Sequence, residues 1–292
     1  MVKRRRWKSK LQVRGVIMKK VVKFGGSSLA NAEQFQKVGD IIRSDESRRY
    51  VVPSAPGKRF DEDIKVTDML YGCYDAASKG EDITEKINAI KARYYEIIKG
   101  LGLSLSLEEE FKKIDEDFRA QAGIQYAASR GEFLNGKIMA AYLGYDFVDA
   151  ASVIRFDKAG NLEAEETNKL LSKKLSKSQH AVIPGFYGAC ADGTVKTFSR
   201  GGSDVTGSLV AKAIHADIYE NWTDVSGFLV TDPRIVHNPE PIEAITYREL
   251  RELSYMGATV LHEDAIFPVR KEGIPINIRN TNSPEDKGTL IV

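Results

Sequence analysis

The chain has 292 residues, 42% of them hydrophobic, which is enough for one large α/β domain or two smaller ones and excludes disorder over most of its length. Its 43 Lys and Arg nearly cancel 41 Asp and Glu, which removes the electrostatic case for nucleic acid or a membrane surface as partner. No run of about 18 apolar residues is present to span a bilayer, and two cysteines, Cys73 and Cys190, give neither a disulfide framework nor paired metal-ligand spacing, so a cytoplasmic, reducing setting is the default.

Residues 1–17, MVKRRRWKSKLQVRGVI, hold seven cations and no acid and read as a disordered or non-native start; an interaction arm on nucleic acid is the other reading. The fold is therefore sought in 18–292, which is mildly acidic. "VVKF" at 21–24 predicts a strand, and "AEQFQKVGDIIRSD" a helix with Phe35, Val38, Ile41 and Ile42 on one face. "RRYVVPSA" predicts the next strand, ended by Pro56-Gly57, and Val66, Met69, Leu70 and Cys73 the next helix.

From 81 to 143 the pattern is helical throughout, with Ser106 and Glu109 expected as a capping box, and this stretch reads as a helical insertion. Strands are expected at "DFVDA", "AVIPGF", "TVKTF", "DIYENW", "INIRNT" and the terminal "GTLIV", with helices near 163–176, 204–215, 246–254 and 257–272. This alternation predicts a largely parallel sheet with helices on both faces, as one two-lobed unit.

In such a sheet ligands gather at loops beyond the carboxyl ends of strands. Three loops there put glycines and small hydroxyls where backbone N–H groups can meet an anion: Gly25-Gly26-Ser27-Ser28, "SRGGSD" at 199–204 and "TDVSGFLVTDPR" at 223–234. Each loop alone is more often a turn than a phosphate cradle. Together they bring two cations, Lys23 and Arg200, and two carboxylates, Asp204 and Asp224, which suits a phosphoryl group with Mg²⁺. There is no G-x-x-x-x-G-K-[ST], no G-x-S-x-G and no His pairing at metal-ligand spacing, which excludes a P-loop and argues against nucleophilic hydrolysis and a His-built metal centre.

"KFGGSS", "SRGE" at 129–132, "SRGGSD", "WTDVSG" at 222–227 and "LSYMGATVLH" at 253–262, in that order, resemble the aspartate kinases of the amino-acid kinase family, over about Lys19 to Val292. The resemblance implies a three-layer sandwich, with 18–195 mainly an amino-acid-binding lobe and 196–292 mainly a nucleotide-binding lobe. It implies transfer of the γ-phosphate of ATP, with Mg²⁺, to the β-carboxylate of L-aspartate, the first step toward lysine, threonine and methionine.

By the same resemblance, Lys23 stabilises the transferring phosphoryl group, Gly25 and Gly26 offer backbone donors, and Asp204 orients Lys23. Ser27, Thr67 and Glu132 line the aspartate site, Glu132 taking the ammonium, and Arg200 holds the α-carboxylate. Thr223, Asp224, Asp232 and Arg234 belong to the nucleotide side, and the metal ligands stay unassigned. Two departures stand out: Thr259 replaces a lysine common in the family, shifting expected load to Arg234, and the sequence stops where the family's paired ACT regulatory domains would begin, which reads either as a truncated catalytic fragment or as absence of feedback by lysine or threonine. A homo-oligomer is compatible with this reading. The alternatives are a kinase of the same fold for another amino acid and a non-catalytic amino-acid- or nucleotide-binding regulator.

Overall fold

A computed structural model describes residues 18–199, 201–231, 235–237, 239–255, 261 and 263–292. Among the described residues ten strands alternate with helices: β1 (Lys20–Phe24), β2 (Arg48–Pro53), β3 (Asp146–Phe147), β4 (Ala181–Val182), β5 (Tyr187–Ala189), β6 (Val195–Thr197), β7 (Ile218–Thr223), β8 (Ala244–Ile245), β9 (Ile276–Asn280) and β10 (Thr289–Ile291). The described helices of four or more residues are α1 (Ala32–Arg43), α2 (Val66–Ser78), α3 (Thr84–Gly100), α4 (Glu108–Arg119), α5 (Ile124–Leu143), α6 (Ala150–Val153), α7 (Ala164–Leu175), α8 (Gly202–Ala213), α9 (Tyr247–Tyr255) and α10 (Glu263–Glu272).

Eight strands form one sheet in the order β3-β4-β2-β1-β7-β9-β10-β8, parallel throughout except where β10 runs against β9. From β1 the chain moves one way to β2 and later returns on the other side as β7, so the carboxyl ends of β1, β2 and β7 open together at a switch point. Side chains of β1 alternate between two cores. Val21 packs with β9 and α8 on one face, while Val22 and Phe24 pack with α1 to α5 on the other.

Local chemistry explains the helices that frame the switch point. Asn31 caps α1 by accepting from Gln34 N at 2.9 Å, and Phe35, Val38, Ile41 and Ile42 turn inward as the spacing predicts. α5 is entered through Gly123 at φ 104° and left through Gly144 in the left-handed region, and its polar middle, Ser129 to Glu132, is buried. α8 starts from Gly201 at φ 55°, with Asp204 in its first turn where the helix dipole favours an anion.

The helical insertion appears as α3, α4 and α5, with no described strand between 81 and 143. Two expectations need correction. "TVKTF" does not join the parallel sheet: β6 pairs antiparallel with β5 in a separate two-stranded ribbon, because the Asp192-Gly193 turn folds it back on Tyr187–Ala189. The capping box at Ser106 does not form either; Ser106 Oγ reaches Glu108 N at 3.3 Å, and α4 begins after Leu107 without a side-chain cap. The helix expected over 257–272 is present as α10, while 256–260 and 262 lie outside the described residues.

Candidate active site

The loop after β1 crosses the loop after β2 so closely that both must be glycine. A Cβ on Gly57 would lie 2.6 Å from the Gly26 carbonyl carbon, and one on Gly26 would lie 2.9 Å from Ala55 O. The Gly57 N–H donates to Gly26 O at 2.8 Å and locks the crossing. Gly25 N–H is already donated to Trp222 O at 3.1 Å, so of the two glycine amides expected as anion donors it is that of Gly26 that stays available. Gly26 and Ser27 N–H make no hydrogen bond among the described residues, and both residues wall a cleft of about 410 Å³.

The same cleft is lined by Thr67 at the start of α2, Glu132 on α5 and Asp224 after β7. Thus the loops after β1, β2 and β7 and two helices meet on one cavity, as the parallel topology requires. Glu132 is 6% exposed and its Oε2 has no hydrogen-bond partner among the described residues. Burial pushes its carboxyl up to about 8, against the opposing pull of the Ala55 backbone N–H, its own backbone N–H and the Arg130 charge. A buried, half-satisfied carboxyl on a cavity wall suits a cationic partner, and no described residue bonds its Oε2. Gly131 lets α5 approach: a Cβ there would lie 2.8 Å from Ala55 Cβ and 3.8 Å from Thr67 Oγ1.

Beside the cleft, Lys23 at the end of β1 meets Asp204 at the start of α8, Nζ to Oδ1 2.6 Å, both side chains largely buried. Lys23 Nζ lies 3.8 Å from where a Cβ on Gly25 would sit. A third group completes this pair. Asn221, the register partner of Lys23 on β7, donates Nδ2 to the same Asp204 Oδ1 at 3.0 Å. Sequence reading missed Asn221, although Glu220 and Asn221 interrupt a central parallel strand, where a buried polar residue implies a specific partner. Glu220 serves structure: it accepts from Arg48 Nε at 2.8 Å and from Trp222 Nε1 at 2.9 Å, and pairs with Lys20 at 3.1 Å.

At the end of β7, Thr223 Oγ1 donates to Asp224 Oδ1 at 3.2 Å. The structure therefore gathers Gly26, Ser27, Thr67, Glu132 and Asp224 around one cleft and sets Lys23, Gly25, Asp204 and Thr223 next to it. Arg200, Asp232, Arg234 and Thr259 lie outside the described residues. Among the described residues no group of three or more His, Cys, Asp or Glu is disposed to hold a metal ion unaided.

A family model described as the amino acid kinase family matches residues 18–280. Aspartokinase 3 of Bacillus subtilis is 40% identical over 94% of this chain and 63% of its own length. The solved aspartate kinase of Clostridium acetobutylicum superposes with a TM-score of 0.90 at 52% identity, covering 94% of this chain and 62% of that one. Escherichia coli aspartokinase III, solved in complex with aspartate and ADP, superposes at 0.80 with 28% identity over 94% of this chain and 64% of its own. The chain spans somewhat under two thirds of the length of these relatives.

Proposed function

We propose, from the premise that this chain belongs to the amino acid kinase family, that it transfers the γ-phosphate of ATP to the β-carboxylate of L-aspartate, forming the acyl phosphate that opens lysine, threonine and methionine synthesis. The observation that carries this reading is the pairing of a phosphoryl-type site, Lys23 on Asp204 beside free amides, with a buried Glu132 facing the same cleft. The likeness to relatives named as aspartate kinases supports aspartate as the acceptor.

The chemistry needs no general base. The acceptor carboxylate, with an unperturbed pKa of about 3.9, is already ionised at neutral pH. The obstacle is charge, since an anion must approach an anionic triphosphate, and catalysis is therefore positioning and neutralisation. In this reading Lys23 meets the transferring phosphoryl oxygens, held in place by Asp204, while the Gly26 and Ser27 amides donate beside it. Glu132 receives the substrate ammonium, with Ser27 and Thr67 near it, and Arg200 takes the α-carboxylate. Thr223, Asp224, Asp232 and Arg234 serve the nucleotide.

Mg²⁺ fits this donor set. It favours few protein carboxylates with phosphate oxygens completing its shell, and Asp224 is on the cleft wall, accepting from the Thr223 hydroxyl. Asp224 would hold it together with the nucleotide, where it would neutralise phosphate charge.

ATP turnover across a panel of α-amino acids and nucleoside monophosphates tests the proposal. The expected result is turnover that depends on L-aspartate; turnover dependent on another acceptor, or nucleotide binding with none, overturns it.

A further inference from the structure

The loop joining β2 to α2 brings charge to the cleft that the roles above leave unused. Its neck is closed by Val66 N donating to Pro56 O at 3.3 Å. Within the loop, Asp63 accepts from Arg59 N and Nε at 2.9 Å each and from Arg59 Nη2 at 3.0 Å, and it also accepts from Arg93 Nη1. Arg93 is buried on α3 and fastens the loop from outside, its Nη2 donating to Gly57 O at 3.0 Å. The loop is thus tied at its neck and its centre, so the residues at its two feet have fixed positions.

Those residues are Lys58 and Lys65. Both line the cleft with Thr67 and Glu132, and among the described residues they are the cations of that wall. Lys58 Nζ donates to Asp61 O at 2.8 Å, which uses one of its three N–H groups, and Lys65 Nζ makes no hydrogen bond or ion pair among the described residues. The carboxylates on the wall are Glu132 and Asp224. An amino acid whose ammonium meets Glu132 still brings its carboxylates into a cleft that holds two acids, and these need counter-charge at the acceptor end.

We propose that Lys58 and Lys65 form a cationic lip that receives carboxylate of the acceptor amino acid and sets its preference for a dicarboxylic over a neutral side chain. This rests on the phosphotransferase reading above for the acceptor's identity, but binding can be followed without turnover. L-aspartate and L-asparagine are titrated calorimetrically into the full chain, its Lys58→Met and Lys65→Met variants and the double variant, at low and high salt, with ATP KM measured alongside.

Each exposed lysine carries an expected loss of about tenfold in aspartate affinity, the low end for a charged hydrogen bond. The double variant should bind aspartate and asparagine alike, lose most of the salt dependence and keep ATP KM within about twofold. Unchanged aspartate affinity in the double variant, a loss confined to ATP, or a wild-type chain that binds no dicarboxylic amino acid overturns the lip. Aspartate binding without ATP turnover overturns the phosphotransferase reading and leaves the lip standing.

Discussion

Asp204 Oδ1 is shared by two donors, Lys23 Nζ at 2.6 Å and Asn221 Nδ2 at 3.0 Å, which makes Asn221 a positioning residue for the lysine rather than a contact of the substrate. Asn221→Ala should lower kcat about tenfold with little change in either KM, the scale of one lost hydrogen bond to a charged group. Asn221→Asp should do worse, because a second carboxylate beside Asp204 competes for Lys23; steady-state kinetics on both variants checks the order. Glu132 supplies a pH signature. Its folded carboxyl sits at about 8 against an ordinary value of 4.5, so the free protein holds a proton there that the unfolded chain has lost. Stability of the free protein should therefore fall as pH rises from about 4.5 to about 8, and Glu132→Gln should remove that part of the decline in thermal melts. Binding an ammonium demands the ionised form, so aspartate KM should rise toward tenfold per unit as pH drops below about 8. A flat KM between about pH 6 and 8 contradicts the role given to Glu132.

The crossing of two glycine loops is what turns separate strand ends into one cavity. Gly57→Ala places a Cβ 2.6 Å from the Gly26 carbonyl carbon and 2.9 Å from Ser27 N, against backbone that cannot rotate away. The expected cost is about 1–3 kcal/mol, read as a lower Tm, together with a kcat loss from displaced Gly26 and Ser27 amides. Normal Tm and turnover in the Gly57→Ala variant would contradict the crossing. The elements framing this loop pair were legible because strong periodicity and local caps agree, as in the Phe35-to-Ile42 stripe behind Asn31. "TVKTF" was misassigned because its alternation fits any half-buried strand, and nothing in so short a run says which neighbour it pairs with. Ser106 failed as a cap because Leu107 is fully buried and fixes where α4 begins, a tertiary constraint that local spacing does not carry.

At the scale of the whole molecule, the site exists because β1 lies between β2 and β7, so that Gly26, Gly57 and Asp224 reach one edge from distant parts of the chain. That Lys23 and Asp204 would lie together and Glu132 near them was legible in short motifs at a strand end or on a helix, and the structure pairs Lys23 with Asp204 and puts Glu132 on the adjoining cleft. Asn221 and the two lysines of the loop were not, since their meaning depends on register across β1 and β7 and on a loop pinned by Arg93. If this architecture drives acyl phosphate formation, it does so through Lys23. The most direct test incubates the chain with L-aspartate, ATP and Mg²⁺ in hydroxylamine and compares wild type with Lys23→Ala. The expected result is ATP-dependent aspartyl hydroxamate from the wild type and a rate at least about a hundredfold lower from the variant, the scale of losing one preorganised charge donor. No hydroxamate from the wild type, or a near-normal rate from Lys23→Ala, would contradict it.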